Sequence, residues 1–140
     1  MQIGIDVHRV IDAYPELFFK LSHYWKVKGH TIHIITGKEW QKVGPEVDAL
    51  GIHYDRHFSI VDHHLKIGTP TYTRSDSPGI WMNADVWNRS KGDYAMSVGL
   101  DLHFDDNIEY AKFFPKCCTY IMVGHGFSEF YYKFLSPRAK

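Results

Sequence analysis

Two stretches decide the fold: Ile3-Gly4-Ile5-Asp6 and Thr31-Ile32-His33-Ile34-Ile35-Thr36-Gly37. Each is a short apolar run, rich in β-branched residues, that stops at a polar residue, which is the pattern of a buried strand. Between them, residues 15–28 begin at Pro15, a residue suited to the first turn of a helix, and stop before Gly29. Leu17, Phe18, Leu21, Trp25 and Val27 fall on one helical stripe. A strand, a helix and a strand of these lengths make a βαβ crossover, so the two strands run parallel.

Outward from this unit the pattern repeats. Residues 39–50 suit a second helix, with Gly44-Pro45 expected to break it, and residues 59–67 read equally as strand or helix before Gly68. Residues 69–79 carry Pro70, Pro78 and a Thr-Tyr-Thr core that suits a strand in a connecting excursion, taken as about residues 51–82. Residues 84–98 read as a helix ending at Gly99, with Gly92 as an internal weak point costing about 1 kcal/mol relative to alanine. Residues 100–104 alternate as a strand that runs into Asp105-Asp106, Asn107 is placed to cap a short helix through Phe113, and residues 119–123 form a last strand. Strands alternating with helices predict one α/β domain over residues 1–140, a three-layer α/β/α sandwich of Rossmann type with a mostly parallel central sheet.

Composition narrows the function classes. The chain has 140 residues, 44% of them hydrophobic, enough for one real core. Lys+Arg and Asp+Glu both number 16, which leaves no global basic field and argues against nucleic acid as a partner. No apolar run approaches the roughly 18 residues that span a bilayer, and the first residues lack the order of a secretory signal. Cys117 and Cys118 are sequence neighbours, poorly placed to bond each other, and read as free thiols. The expectation is a cytoplasmic protein with no membrane partner. Ten histidines invite a metal or titration role, but His30, His53, His57, His63, His64 and His125 scatter near turns and polar faces.

In an open parallel sheet, ligands bind beyond the carboxyl ends of the strands. That rule selects Asp6, Thr36 and the Asp105-Asp106 pair together. Carboxylates from two separate strand ends are what a Mg²⁺ ion needs, because a hard cation takes oxygen ligands and leaves positions for water and phosphate. A lone strand-end Asp is more often a turn former or helix cap; a set of such residues is harder to dismiss.

These residues carry a resemblance. Ile3 to Asp12 resembles the first motif of the haloacid dehalogenase superfamily, an apolar strand followed by Asp-x-Asp-Gly-Thr/Val. His33-Ile34-Ile35-Thr36-Gly37 is similar to its second motif, Lys91 to its third-motif lysine, and Asp105-Asp106 to its acidic fourth motif. The similarity runs in order from Ile3 to Val123. It implies a small capless phosphatase in which Asp6 is the nucleophile and a Mg²⁺ ligand. Thr36, with Gly37, would bind a phosphoryl oxygen, Lys91 would offset negative charge, and Asp105 and Asp106 would hold the metal. The implied substrate is a phosphomonoester, on a small molecule or a macromolecule, hydrolysed through an aspartyl-phosphate.

Two departures stand in the first motif. His8 occupies the acid/base position in place of Asp, and Arg9 stands where the pattern usually has Gly. The main-chain carbonyl of His8 keeps its implied place on the metal, and an imidazole also exchanges protons near neutrality. The alternative is a domain that has lost catalysis and binds a phosphorylated ligand or a protein partner. A site of His8 with Asp6 and Asp105 would instead suit Mn²⁺, Zn²⁺ or another divalent transition metal. Lys91 has a rival in Lys66, and as a helix residue beside Arg89 and Asp93 it also reads as a solvated charge. Tyr72, Arg74, Trp81 and Trp87 suit stacking on a base or sugar, or packing in the core or against a second subunit. With so short an excursion, the mouth of the site is expected to be open unless a homo-oligomer covers it.

Overall fold

A computed structural model describes residues 1–124; His125 and residues 127–134, an aromatic stretch that the sequence suits to lying over the sheet or pairing with another subunit, lie outside the described residues. Side chains alternate along a strand, so Ile3 and Ile5 of β1 (Gln2–Ile5) face one side of the sheet while Gly4 faces the other. After β1 the chain makes a tight turn over Val7–Ile11, in which His8 and Arg9 are not helical, and enters α1 (Pro15–Val27), then β2 (Thr31–Thr36), α2 (Trp40–Ala49), β3 (Arg56–Ser59) and α3 (Ile60–Ile67). A hairpin of β4 (Thr71–Tyr72) and β5 (Trp81–Met82) follows. The chain closes with α4 (Ala84–Val98), β6 (Leu102–Asp105), α5 (Ile108–Ala111) and β7 (Thr119–Met122).

The sheet has the order β3-β2-β1-β6-β7, and every pairing in it is parallel. Helices cover both faces, which makes the three-layer α/β sandwich the sequence implies. On one face, Ile3, Ile5, Ile32, Ile34 and Phe104 pack against Leu17, Phe18 and Trp25 of α1 and Val43 and Val47 of α2. Phe18 meets Phe104 edge to face with centroids 5.5 Å apart. On the other face, Ile35 and Leu100 pack with Ala95 of α4 and with Phe114. The chain winds outward from β1 through β2 to β3, then returns to the far side of β1 for β6. The reversal leaves a crevice at the carboxyl ends of β1 and β6, where such sheets bind ligands.

Several local expectations are corrected. The Gly44-Pro45 break does not occur: α2 runs through both residues, because buried Val43 and Val47 anchor it to the core across the lost amide bond at Pro45. Val27 leaves the expected apolar stripe and is 83% exposed. Residues 59–67 divide between the end of an edge strand and a helix, in which the Ser59 side chain accepts from the Asp62 amide and Gly68 closes the last turn with φ +77°. Since β3 belongs to the main sheet, the excursion reduces to the β4–β5 hairpin and its flanks. The short helix after Asn107 stops at Ala111, two residues before Phe113.

Nor does Gly92 break α4. A Cβ there would collide with the main-chain carbonyl of Phe113, so the glycine lets the segment after α5 lie directly on the helix. Gly92→Ala improves helix propensity yet is expected to destabilise the fold, by about 1–3 kcal/mol. Urea unfolding of the two chains checks this; a more stable alanine variant would show that the contact is loose.

Candidate active site

Asp6 follows the last residue of β1, and its amide donates to the Phe104 carbonyl of β6 at 2.9 Å. Asp105 ends β6 itself. Neighbouring parallel strands therefore bring the two carboxylates to the same end of the sheet. Lys91 reaches between them from α4, with Nζ 3.0 Å from Asp6 Oδ1 and 2.7 Å from Asp105 Oδ2. All three groups are buried, Lys91 to 2% exposure and Asp105 completely. Lys66, the rival, is exposed on α3.

The protonation states follow from burial and charge. Burial weighs against the ammonium of Lys91, but the Asp6 and Asp105 carboxylates overcome it and raise its pKa. For Asp6 burial wins: its pKa rises to about 6, with Asp105 adding repulsion and Lys91 pulling the other way. Burial weighs on Asp105 too, yet the hydrogen bond from His103 and the charge on Lys91 hold its pKa down to about 2.

His103 is a residue of this centre that the sequence reading missed. Its Nε2 lies 3.0 Å from Asp105 Oδ2 in a fully buried setting. Burial lowers its pKa, so the ring is neutral and donates from Nε2 to the ionised carboxylate. The ring lies across Gly4, where a Cβ would stand 2.7 Å from Nδ1; β1 therefore needs glycine at that position. The available signal was spacing, since residues two apart on a strand share a face. The other oxygen of Asp105, Oδ1, accepts from the Asn107 amide at 3.1 Å. Tyr110 was missed as well: its ring lies 4.9 Å from Lys91 Nζ, and its hydroxyl accepts from Trp87 Nε1 at 3.0 Å.

The remaining candidates sit around this centre. One carboxylate oxygen from each of Asp6, Asp105 and Asp106 lies within 4.8 Å of the others. Asp106 Oδ2 is 3.8 Å from Arg9 Nη1. Arg9 holds φ +61°, a left-handed conformation that glycine adopts without strain, and its amide donates to Asp12 Oδ1. His8 lines the cleft, but its Nε2 is 3.6 Å from Glu46 Oε2 on α2. Gly37 also lines the cleft, whereas Thr36 is fully enclosed and its Oγ1 accepts from the Lys38 amide at 3.3 Å. His64, expected on a polar face, is instead buried, with its ring nitrogens bonded to Thr69 and Ser90 hydroxyls at 2.7 Å each.

The cleft above the carboxylates has a volume of about 1730 Å³. It is not simply open, because the β4–β5 hairpin forms one wall with Tyr72, Arg74, Trp81 and Met82. Compared with protein-family models, curated proteins and solved structures, the chain matches none of them.

The residues present suit a hard divalent cation. Lys91 lies between Asp6 and Asp105, Asp106 stands beside them near Arg9, and burial, with Asp105 adding repulsion, raises the pKa of Asp6. No imidazole belongs to this ligand group among the described residues.

The same balance sets a pH signature. Asp6 ionises at about 6 when folded and near 3.8 when free, so the folded state holds the extra proton between those values. Its contribution makes the metal-free protein lose stability as pH rises from about 4 to 6, by up to ~3 kcal/mol. Asp6→Asn is expected to remove this loss and leave the variant more stable than the natural chain at pH 7. Urea titrations in a chelator at pH 4, 5, 6 and 7 read it directly. Parallel pH profiles for the two chains would mean that Asp6 ionises normally.

Proposed function

We propose that this chain is a Mg²⁺-dependent phosphohydrolase of the haloacid dehalogenase type, acting on phosphomonoesters. The observation that carries the reading is the buried Lys91 held between Asp6 and Asp105 at the crevice where the sheet reverses. A purely structural ion pair needs one carboxylate for one ammonium. Here a second carboxylate is kept beside the first against its own desolvation, and a third, Asp106, stands at the solvent edge. Asp6, Asp105 and Asp106 would hold Mg²⁺, which supplies charge neutralisation for an incoming phosphoryl group.

Asp6 is the nucleophile: the oxygen not held by Lys91 attacks phosphorus, and the bond to the leaving oxygen breaks. The leaving alkoxide takes a proton from His8 or from water. Water then attacks the phosphoryl group on Asp6, passing its proton to His8 or to solvent, the P–O bond to Asp6 breaks, and the Asp6 carboxylate is released with inorganic phosphate. Lys91 stays protonated throughout and fixes the unreactive oxygen of Asp6. His103 and the Asn107 amide fix Asp105, so that its carboxylate does not rotate. Gly37, just past the end of β2, lines the cleft and offers a main-chain amide for a phosphoryl oxygen, while Thr36 is enclosed beneath it.

A second reading rests on His8. Its ring is directed at Glu46, 3.6 Å away, and a bound Mg²⁺ nearby would disfavour the protonated imidazolium that has to donate. In this reading the domain binds a phosphorylated ligand or a protein partner, and turnover is vestigial.

Turnover of p-nitrophenyl phosphate and of alkyl phosphates, with Mg²⁺ or with chelator, separates the two. The natural chain is expected to be a slow, Mg²⁺-dependent phosphatase that Asp6→Asn abolishes. His8→Asp restores a positioned carboxyl and is expected to raise alkyl phosphate turnover about 10²–10⁴-fold. Activity that survives Asp6→Asn or chelation would refute the proposal. No gain in His8→Asp, with Mg²⁺ still bound, would favour the binding domain.

A further inference from the structure

The hairpin wall of the cleft is unexplained by phosphate chemistry. A phosphoryl group needs the floor formed by Asp6, Gly37 and Lys91, yet the cavity that contains this floor exceeds the roughly 300–1,000 Å³ that encloses a drug-sized ligand. The extra space is bounded by aromatic residues. In the hairpin register Tyr72 pairs directly with Trp81, so the two rings project from the same face, and both line the cleft. Tyr72 is 55% exposed, far more than a packing aromatic requires. Arg74 lies over the Trp81 indole, with Cζ 4.7 Å from the ring centroid, and is fixed there by a fork to Asp76 at 2.9 and 2.6 Å. Trp81 Nε1 is enclosed but meets no protein acceptor among the described residues. Buried indole N–H groups normally find one, so this donor is suited to a ligand.

Resting on the phosphohydrolase reading, we infer that the hairpin is a nucleobase subsite and that the substrate is a nucleoside monophosphate. A base has the flat apolar faces to stack on Tyr72 and Trp81 and the edge acceptors to meet an indole N–H. The sugar spans from the hairpin to the phosphate held over Asp6. Charge limits the phosphate count: Lys38, Lys42 and Arg9 line the cleft, but so do Asp12, Glu39 and Asp106, and Lys42 is already paired with Glu39 at 3.1 Å. Such a mixed rim tolerates one phosphate on the floor and disfavours the run of phosphates in a nucleic acid strand.

Binding and turnover test the two layers separately. In calorimetry with Mg²⁺, the natural chain is expected to bind a nucleoside monophosphate at least tenfold more tightly than ribose 5-phosphate, which lacks the base. Tyr72→Leu, at an exposed position, is expected to remove most of that difference while leaving ribose 5-phosphate affinity unchanged. Trp81→Leu should do the same, with circular dichroism confirming its fold. Base-dependent binding without any hydrolysis would uphold the subsite and refute the phosphohydrolase. Hydrolysis with equal affinity for nucleotide and ribose 5-phosphate, or a preference untouched by Tyr72→Leu, would overturn the subsite and leave the phosphohydrolase standing. Tighter binding of a 5′-phosphorylated oligonucleotide than of the mononucleotide would overturn the assignment to a monophosphate.

Discussion

The ammonium of Lys91, held between Asp6 and Asp105 inside the protein, is the interaction on which the rest depends. Two carboxylates with no water to solvate them cannot stand beside each other without it. Its geometry is over-determined. β1 and β6 are adjacent because the chain reverses its winding there, which brings both strand ends together. α4 lies against the opposite segment through Gly92, and its buried face delivers Lys91 at the crevice. Loosening any of these elements would leave an unpaired buried charge.

The two carboxylates about Lys91 are held unequally. Asp105 is tied by three donors, Lys91, His103 and the Asn107 amide, and ionises early. Asp6 has only Lys91 and the main chain, and burial keeps its pKa near 6. Of the two carboxylates about one ammonium, Asp105 is thus the one held by more donors and Asp6 the one whose pKa burial raises. Asp106 adds a third negative group at the edge. The surroundings differ in the same sense: the floor is buried and charged, while the hairpin opposite is short, aromatic and built on two-residue strands.

Much of this was legible in the sequence because it is written in strand ends. Apolar runs stopping at Asp6, Thr36 and Asp105 identify both the parallel sheet and the edge where its candidate site lies, since buried strands read as near-continuous apolar stretches. Lys91 was legible only through the order of motifs, because nothing local distinguishes a buried lysine on a helix from a solvated one. His103 was not singled out although its spacing to Asp105 places both on one face; a histidine within an alternating strand looks like any half-buried polar residue. Gly44-Pro45 and Gly92 were misread for a common reason. Local propensity marks both as breaks, while packing of Val43 and Val47 in one helix and of Phe113 on the other decides the outcome. Glu46, Tyr110 and the hairpin wall reach the site only through tertiary approach, which carries no periodic signal.

The central claim is that Asp6 carries the phosphoryl group during turnover, and a direct measurement is its capture. Natural protein mixed with Mg²⁺ and p-nitrophenyl phosphate, whose leaving group departs without a proton, is quenched in acid within milliseconds to seconds and digested. Mass spectrometry is expected to find one phosphoryl group on the peptide containing Asp6, absent from Asp6→Asn and from samples quenched without Mg²⁺. Hydrolysis that proceeds with no adduct at any quench time, or an adduct on another residue, would contradict the assignment of Asp6 as nucleophile.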